Sequence, residues 1–324
     1  MKKLIIGILV SSIFIYLSFN GVKFDKILTG FNNANYIYLI PTLVLFILAS
    51  FLRSLRWGAV LSPMVKISQR RLFPIVCVGQ MGITLIPMRI GELIKPYLVS
   101  NESKLPFNSA LATILLERVF DIFTLLGISF LIIFISVLPE GLIKTRNSAL
   151  IILVVLIFFI TLSYFKKEAT LRFFKLLFNK LPQRIQAKIE NLVHSFVDGF
   201  KIISSPKMLV YTLLLSCLIW GCAGLGTFTL FFFYNFQLSF VSAFVILFST
   251  VIGVSLPTAP GMLGNFHFSC IAALLFFNIP KSDALSFSLI YYFMAIGRHI
   301  LLGLIFLPFV NLSFRDVKRQ YNVG

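Results

Sequence analysis

Apolar residues run along this chain in long blocks, broken at intervals by short polar or proline- and glycine-bearing stretches. Met1 to Asn20 opens with Lys2 and Lys3 and then turns apolar; no small-residue cleavage site follows, so it reads as a retained helix rather than a signal peptide. Residues 21–35 read as a short polar loop. Tyr36 to Leu52 predicts a span that ends in Arg53, Arg56 and Trp57, a basic and aromatic group expected at the membrane surface. Phe107 to Leu138, Ser148 to Phe165, Met208 to Tyr234 and Ala284 to Val310 complete a set of six runs near the roughly 20 residues that cross a bilayer as a helix.

Two further apolar stretches are interrupted. In residues 72–100 the segment GQMGITLIPMRIGELIKPY (79–97) places Pro87, Arg89, Gly91, Glu92, Lys95 and Pro96 inside what hydropathy alone assigns to membrane. Its arms on either side of Pro87 are each short of a crossing. Residues 241–278 break in the same way, at Pro257, Pro260, Gly261 and Gly264 within SLPTAPGMLGNFHF. Proline and glycine free backbone groups that lipid cannot satisfy, so such breaks belong against protein or water. Both stretches therefore predict re-entrant hairpins. The run from Pro87 to Glu92 aligns with Pro260 to Asn265, and each is followed by another proline (Pro106, Pro280) and a long span.

The large polar segment, 166–207, has a different period. Leu171, Phe174, Leu177, Phe178 and Leu181 fall near helical spacing with Lys167, Arg172, Lys175 and Lys180 between them. Basic amphipathic helices of this type lie in the headgroup layer.

Composition agrees. The 324 residues are 58% hydrophobic and 12% charged, where soluble domains are about one quarter charged. The expected fold is an all-α polytopic membrane protein, one integral domain over 1–324. It would have about six full spans and two opposed hairpins, within repeat units 72–138 and 241–310. Charge sets the orientation. Of the 29 Lys and Arg, twenty fall in the N-terminus, 53–71, Lys104, 166–207 and the C-terminus, against five in the opposite loops. By the positive-inside rule both termini face the cytoplasm, in a cell membrane. The two hairpins then enter from opposite faces, an inverted repeat of the kind that builds substrate sites in secondary transporters.

Charges at membrane depth mark function by default. Arg89, Glu92, Lys95, Glu117, Arg118, Asp121 and Arg298 form the candidate substrate path, with Pro260, Gly261, Gly264 and His267 at the second break. A guanidinium fork suits phosphate oxygens, so Arg89 with Arg118 or Arg298 would grip a lipid phosphate. Glu92 and Glu117 would answer a cationic headgroup or carry a proton. Mutual pairing that pins helices together is the plainer reading of the same charges.

Cys77, Cys217, Cys222 and Cys270 lack metal-ligand spacing, and there is no Walker A or dinucleotide fingerprint. No cofactor, metal, nucleic-acid partner or catalytic constellation is expected, and the chain reads as a non-enzyme.

In RSLRW (53–57), IPMRIGELIKPYLV (86–99), LERVFD (116–121) and SLPTAPGMLG (255–264) the chain resembles the flippase-like membrane region of the lysylphosphatidylglycerol synthetase family. The resemblance covers essentially the whole chain. It implies movement of a phospholipid or lipid-linked headgroup between leaflets, without the soluble synthase domain of the bifunctional members. The partners it implies are membrane lipids with phosphate-containing headgroups. An alternative is a membrane subunit, scaffold or enzyme for lipid-linked sugar modification, working with a membrane glycosyltransferase or lipid-synthesis protein. Two departures stand out: the family's second break usually reads PGGLG with a Glu three residues on, whereas here Met262 replaces a Gly and His267 takes the Glu position.

Overall fold

The computed structural model describes residues 2–22, 24–32, 34–86, 91–135, 206–256 and 259–312. Every regular element among these is helical. In chain order they are α1 (Lys2–Phe19), α2 (Phe24–Asn32), α3 (Leu39–Leu61), α4 (Gln69–Leu85), α5 (Ile94–Ser103), α6 (Phe107–Ile135), α7 (Pro206–Phe233), α8 (Phe240–Ser255), α9 (Asn265–Phe276), α10 (Lys281–Tyr292) and α11 (Arg298–Phe306). The all-helical membrane fold read from the sequence is the one observed. Among the described residues three continuous helical stretches are long and apolar enough to cross a membrane: Tyr36–Leu61, Pro206–Phe233 and Lys281–Phe309. The expected span over 148–165, residues 166–205 of the basic segment 166–207, Pro87, Arg89 and Pro257 lie outside the described residues.

Both interruptions are real breaks in helix. In the first, α4 ends at Leu85 and α5 begins at Ile94. At about 1.5 Å per residue, the 10 residues of α5 extend about 15 Å, half the roughly 30 Å hydrocarbon layer. In the second, α8 ends at Ser255 and a short turn, Pro260–Met262, leads into the 12-residue α9. The turn runs through left-handed backbone at Gly261 (φ +80°), Met262 (+59°) and Gly264 (+81°).

Residues 21–35 are not the plain loop that their polar composition predicts. They contain α2, whose Asp25 lies in the first turn, where a negative charge suits the helix dipole. Its Ile27 is buried, and Gly30 lies against Ser286 of α10. Ile27 alone, among the described side chains of α2, is buried, which leaves no period to read in nine residues.

Contacts group the chain into two compact units: 1–54, 68–102 and 218–324 in the first, 55–67 and 103–217 in the second. The expected repeat unit 72–138 is thus divided after Glu102, while 241–310 falls wholly in the first unit.

In the first unit α4 packs along α11, α9 packs against α1, α8 and α10, and α10 also contacts α2. Aromatic rings fill the interior. Tyr291 lies 5.1 Å from Phe266, 5.8 Å from Phe287 and 6.2 Å from Phe46, centroid to centroid. Between α10 and α11 the helix widens into a π-turn over Phe293–Gly297, a feature often found at functional sites. The second unit has its own core, with Val60, Leu116 and Phe120 packed against Val119, Met208, Leu209 and Leu213.

Candidate functional site

The first unit holds the two breaks and brings them together. The second tip, Pro260–Met262, packs against α4 of the first hairpin. Within that hairpin the two arms touch closely. The stem of Lys95 lies over Gly79, and Gly91 sits on the backbone of Gly82, where any Cβ would collide. This close approach lets Lys95 be 8% exposed, because its methylenes pack while its ammonium is carried at the stem's end. Glu92 is half-buried beside the break.

Three groups fix the second tip. Asn265, fully buried, accepts from Ser11 Oγ at 3.1 Å and donates through Nδ2 to Gly253 O at 3.2 Å. Ser11 Oγ also accepts from the Ala259 N–H at 2.8 Å. Tyr292 donates to Gly261 O at 2.6 Å. Backbone groups released by the break are thus satisfied by protein, as a low-dielectric setting requires. His267 is buried in α9; its Nδ1 lies 3.1 Å from Ser288 Oγ and its ring 5.1 Å from that of Tyr292.

Arg298 follows the π-turn and is 7% exposed. Its Nη1 donates to Phe46 O and to Ser50 Oγ (2.8 Å), and its carbon Cζ lies 5.2 Å from the Phe46 ring centre. Ser50 in turn donates to Gln80 Oε1 at 3.2 Å. Arg298 Nη2 lies 3.1 Å from His299 Nε2. A guanidinium can only donate, so this His299 nitrogen accepts and its proton sits on Nδ1. That nitrogen faces Thr84 Oγ1 at 3.5 Å, the outer limit of a hydrogen bond, and Thr84 donates to Gln80 O at 3.0 Å. Arg298 makes no ion pair among the described residues, and its Nε has no hydrogen-bond partner there. A buried cation compensated, among the described residues, by neutral oxygens, one imidazole nitrogen and a ring is electrostatically unfinished.

The second unit holds the other acidic candidates. Arg56 Nη1 donates to Asp121 Oδ1 at 2.8 Å and to Ser216 Oγ at 2.9 Å, and Nη2 lies 3.6 Å from Glu117 Oε1. Arg118 Nη1 stands 3.9 Å from Asp121 Oδ2, with its side chain 43% exposed. Among the described residues two cations and two carboxylates stand in this cluster.

Here the expected surface anchor is corrected. Arg56 and Trp57 are 1% and 0% exposed, and Trp57 donates to Thr113 Oγ1 at 2.9 Å. The helix does not stop at Leu52 but continues to Leu61, carrying both residues inside. Buried acids one turn apart on α6 supply the partner that keeps Arg56 there. Arg53 is half-buried, with its guanidinium 5.2 Å from the centre of the Trp220 ring.

The candidates therefore fall into two sets: Glu92, Lys95, Pro260, Gly261, Gly264, His267 and Arg298 in the first unit, Glu117, Arg118 and Asp121 in the second. Sequence reasoning missed Ser11, Ser50, Gln80, Thr84 and His299. Gln80 and Thr84 stand four apart on α4, a visible spacing, whereas a single hydroxyl in an apolar helix such as Ser11 carries no signal.

The profile of the lysylphosphatidylglycerol synthase TM region matches residues 4–303, and the chain belongs to this family. It is a membrane protein, and the family ties it to membrane lipid. Among curated proteins it is similar to a UPF0104 membrane protein of Methanothermobacter thermautotrophicus, 27% identical over 71% of this chain and 73% of the relative. It is also similar to one from Methanocaldococcus jannaschii, 22% identical over 68% of this chain and 91% of the relative.

Proposed function

We propose that this member of the lysylphosphatidylglycerol synthase TM family moves a phospholipid, or another lipid with a phosphate-bearing headgroup, between the leaflets of a cell membrane. The observation that carries the reading is Arg298. It is a buried guanidinium with no carboxylate to neutralise it among the described residues, in the unit where the two broken hairpins meet. A transient phosphate would supply the missing charge through bidentate hydrogen bonds. Leaving the site without a resident anion favours passage, since a permanent ion pair would compete with the headgroup. Gln80, Thr84 and Ser50 add donors and acceptors around it.

The expected topology, multi-pass with both termini cytoplasmic, is supported by which segments lie together. Arg71, Glu102 and Asn311 line one cavity, and all three border segments that the charge count puts on the cytoplasmic side. Lys281, counted on the opposite side, donates to Leu17 O (2.9 Å) and Asn20 O (2.6 Å) at the end of α1.

The test is reconstitution into liposomes carrying a headgroup-labelled phospholipid in one leaflet. Protein-dependent loss of leaflet asymmetry, abolished by Arg298→Gln, is expected. Equal rates with wild type, Arg298→Gln and empty liposomes would overturn the proposal and turn attention to a partner role beside a membrane glycosyltransferase.

A further inference from the structure

A cavity of about 140 Å³ opens in the first unit where the beginning of α4, the end of α5 and the residues after α11 converge. It is far smaller than the roughly 300–1,000 Å³ that a drug-sized ligand occupies, so it takes a headgroup and not a whole amphiphile. Its rim carries opposite charges. Arg71 and Glu102 face one another as an ion pair, with the Arg71 side chain 70% exposed and that of Glu102 32%. Asn101 and Asn311 add two side-chain amides to the lining, and neither makes a hydrogen bond among the described residues. The inner wall is apolar: Ile75 and Leu98 are buried beneath it. Phe309, also in the lining, is 72% exposed and is the final residue of the last apolar stretch.

We propose that this cavity is a docking site for the headgroup of a zwitterionic phospholipid, one that carries a phosphodiester and an ammonium. The site is distinct from the Arg298 network and does not depend on that network moving lipid.

Charge selects the ligand class. A purely anionic headgroup would gain Arg71 but meet Glu102, and a purely cationic one the reverse. A zwitterion exchanges the single exposed pair for two: phosphate on Arg71 and ammonium on Glu102. Exposed pairs are weakly held, so opening this one costs little. Asn101 and Asn311 offer amide donors and carbonyl acceptors to the remaining phosphate and ammonium groups. Phe309 presents an apolar face beside the rim on which the glycerol and acyl chains can lie. None of these groups belongs to the hairpin tips or to the Arg56 cluster.

The experiment is native mass spectrometry of the delipidated full chain, titrated separately with dioleoyl-phosphatidylethanolamine and dioleoyl-phosphatidylglycerol. Wild type is expected to retain the zwitterionic lipid preferentially. Glu102→Gln should cost it about fivefold in apparent affinity for phosphatidylethanolamine while leaving phosphatidylglycerol unchanged or tighter. Arg71→Gln should weaken both lipids by a similar factor. Both residues are at the surface, so the variants fold, and an unchanged melting temperature verifies it. Phosphatidylethanolamine binding that neither substitution moves would overturn the assignment, as would a wild-type preference for phosphatidylglycerol. Leaflet exchange in liposomes is read separately, so failure here is distinguishable from failure of transport.

Discussion

Ser11 on the first helix and Asn265 at the second break are 254 positions apart in the chain and joined by a 3.1 Å hydrogen bond in a buried setting. The same hydroxyl accepts from the Ala259 N–H, so one serine holds both sides of the turn that reverses the second hairpin. The first helix is therefore part of the site's framework.

Replacing Ser11 with Ala should leave the Ala259 N–H without this acceptor and Asn265 without this donor. Buried groups left so cost about 1–3 kcal/mol each. A melting temperature in detergent several degrees below wild type is expected, with Ser11→Thr closer to wild type because it keeps the hydroxyl. An unchanged melting temperature in Ser11→Ala would mean that water or a rearranged turn replaces the serine.

Gly264 and Met262 both have left-handed backbone, and opposite outcomes are expected from changing them. A Cβ on Gly264 would run into the backbone of Ser11 in addition to the strained φ, so Gly264→Ala should fail to yield folded protein. Met262 already bears the strain of a side chain at φ +59°, a cost of about 1–2 kcal/mol. Met262→Gly removes it, offset in part by the greater freedom of glycine in the unfolded chain, about 0.5–1 kcal/mol. A small rise in melting temperature is the expected reading, and a clear fall would show that the methionine's packing outweighs its backbone.

Arg56 and Arg298, both buried, should respond in contrary ways. Arg56→Ala removes, among the described residues, the closest cation from Asp121 and a cationic partner from Glu117, and breaking a buried pair by removing one partner costs about 3–5 kcal/mol. Loss of folded protein is expected, visible as aggregation in size-exclusion chromatography. Arg298→Gln strands no carboxylate among the described residues and keeps an amide for Ser50. It should retain wild-type stability within about 1 kcal/mol while losing lipid movement. A destabilised Arg298→Gln would make that arginine a structural residue instead.

Closeness of the hairpin arms gives a further expectation. Gly91→Ala would place a methyl on the backbone at Gly82, which no rotamer change relieves. The variant should be destabilised by more than 2 kcal/mol, in the range of severe overpacking, and accessible-cysteine labelling of Cys77 should rise as α4 and α5 separate. Cys77 is fully buried in the wild type, so labelling that stays at the wild-type level would argue against separation.

Much of the architecture is legible because membrane imposes simple rules. Apolar length gave the helices Tyr36–Leu61, Pro206–Phe233 and Lys281–Phe309 to within a few residues at most ends, and Pro and Gly gave both breaks. What sequence hid depends on partners far away in the chain. Arg56 resembles a surface anchor until α6 and Ser216 are seen beside it. Ser11 is one hydroxyl in an apolar helix until Asn265 meets it. The segment 21–35 looks like a loop because its helix is short and interrupted by Asp25, Lys26, Thr29 and Asn32, and its packing on α10 comes from tertiary contact. Acidic residues at i and i+4 on α6 did announce a cluster; the identity of its cation was the part that local spacing could not supply.

The π-turn at Phe293–Gly297 has an evolutionary consequence. A widened turn holds one residue more than the α-helical path requires, so α10 and α11 are out of angular step by about 100°, the rotation per residue of an α-helix. Closing the widened turn into regular helix at unchanged chain length would swing Arg298 off its present bearing, without altering any residue that touches it. Deleting one residue there would instead restore regular helix and leave Arg298 where it stands, so homologues one residue shorter could keep this positive charge in place.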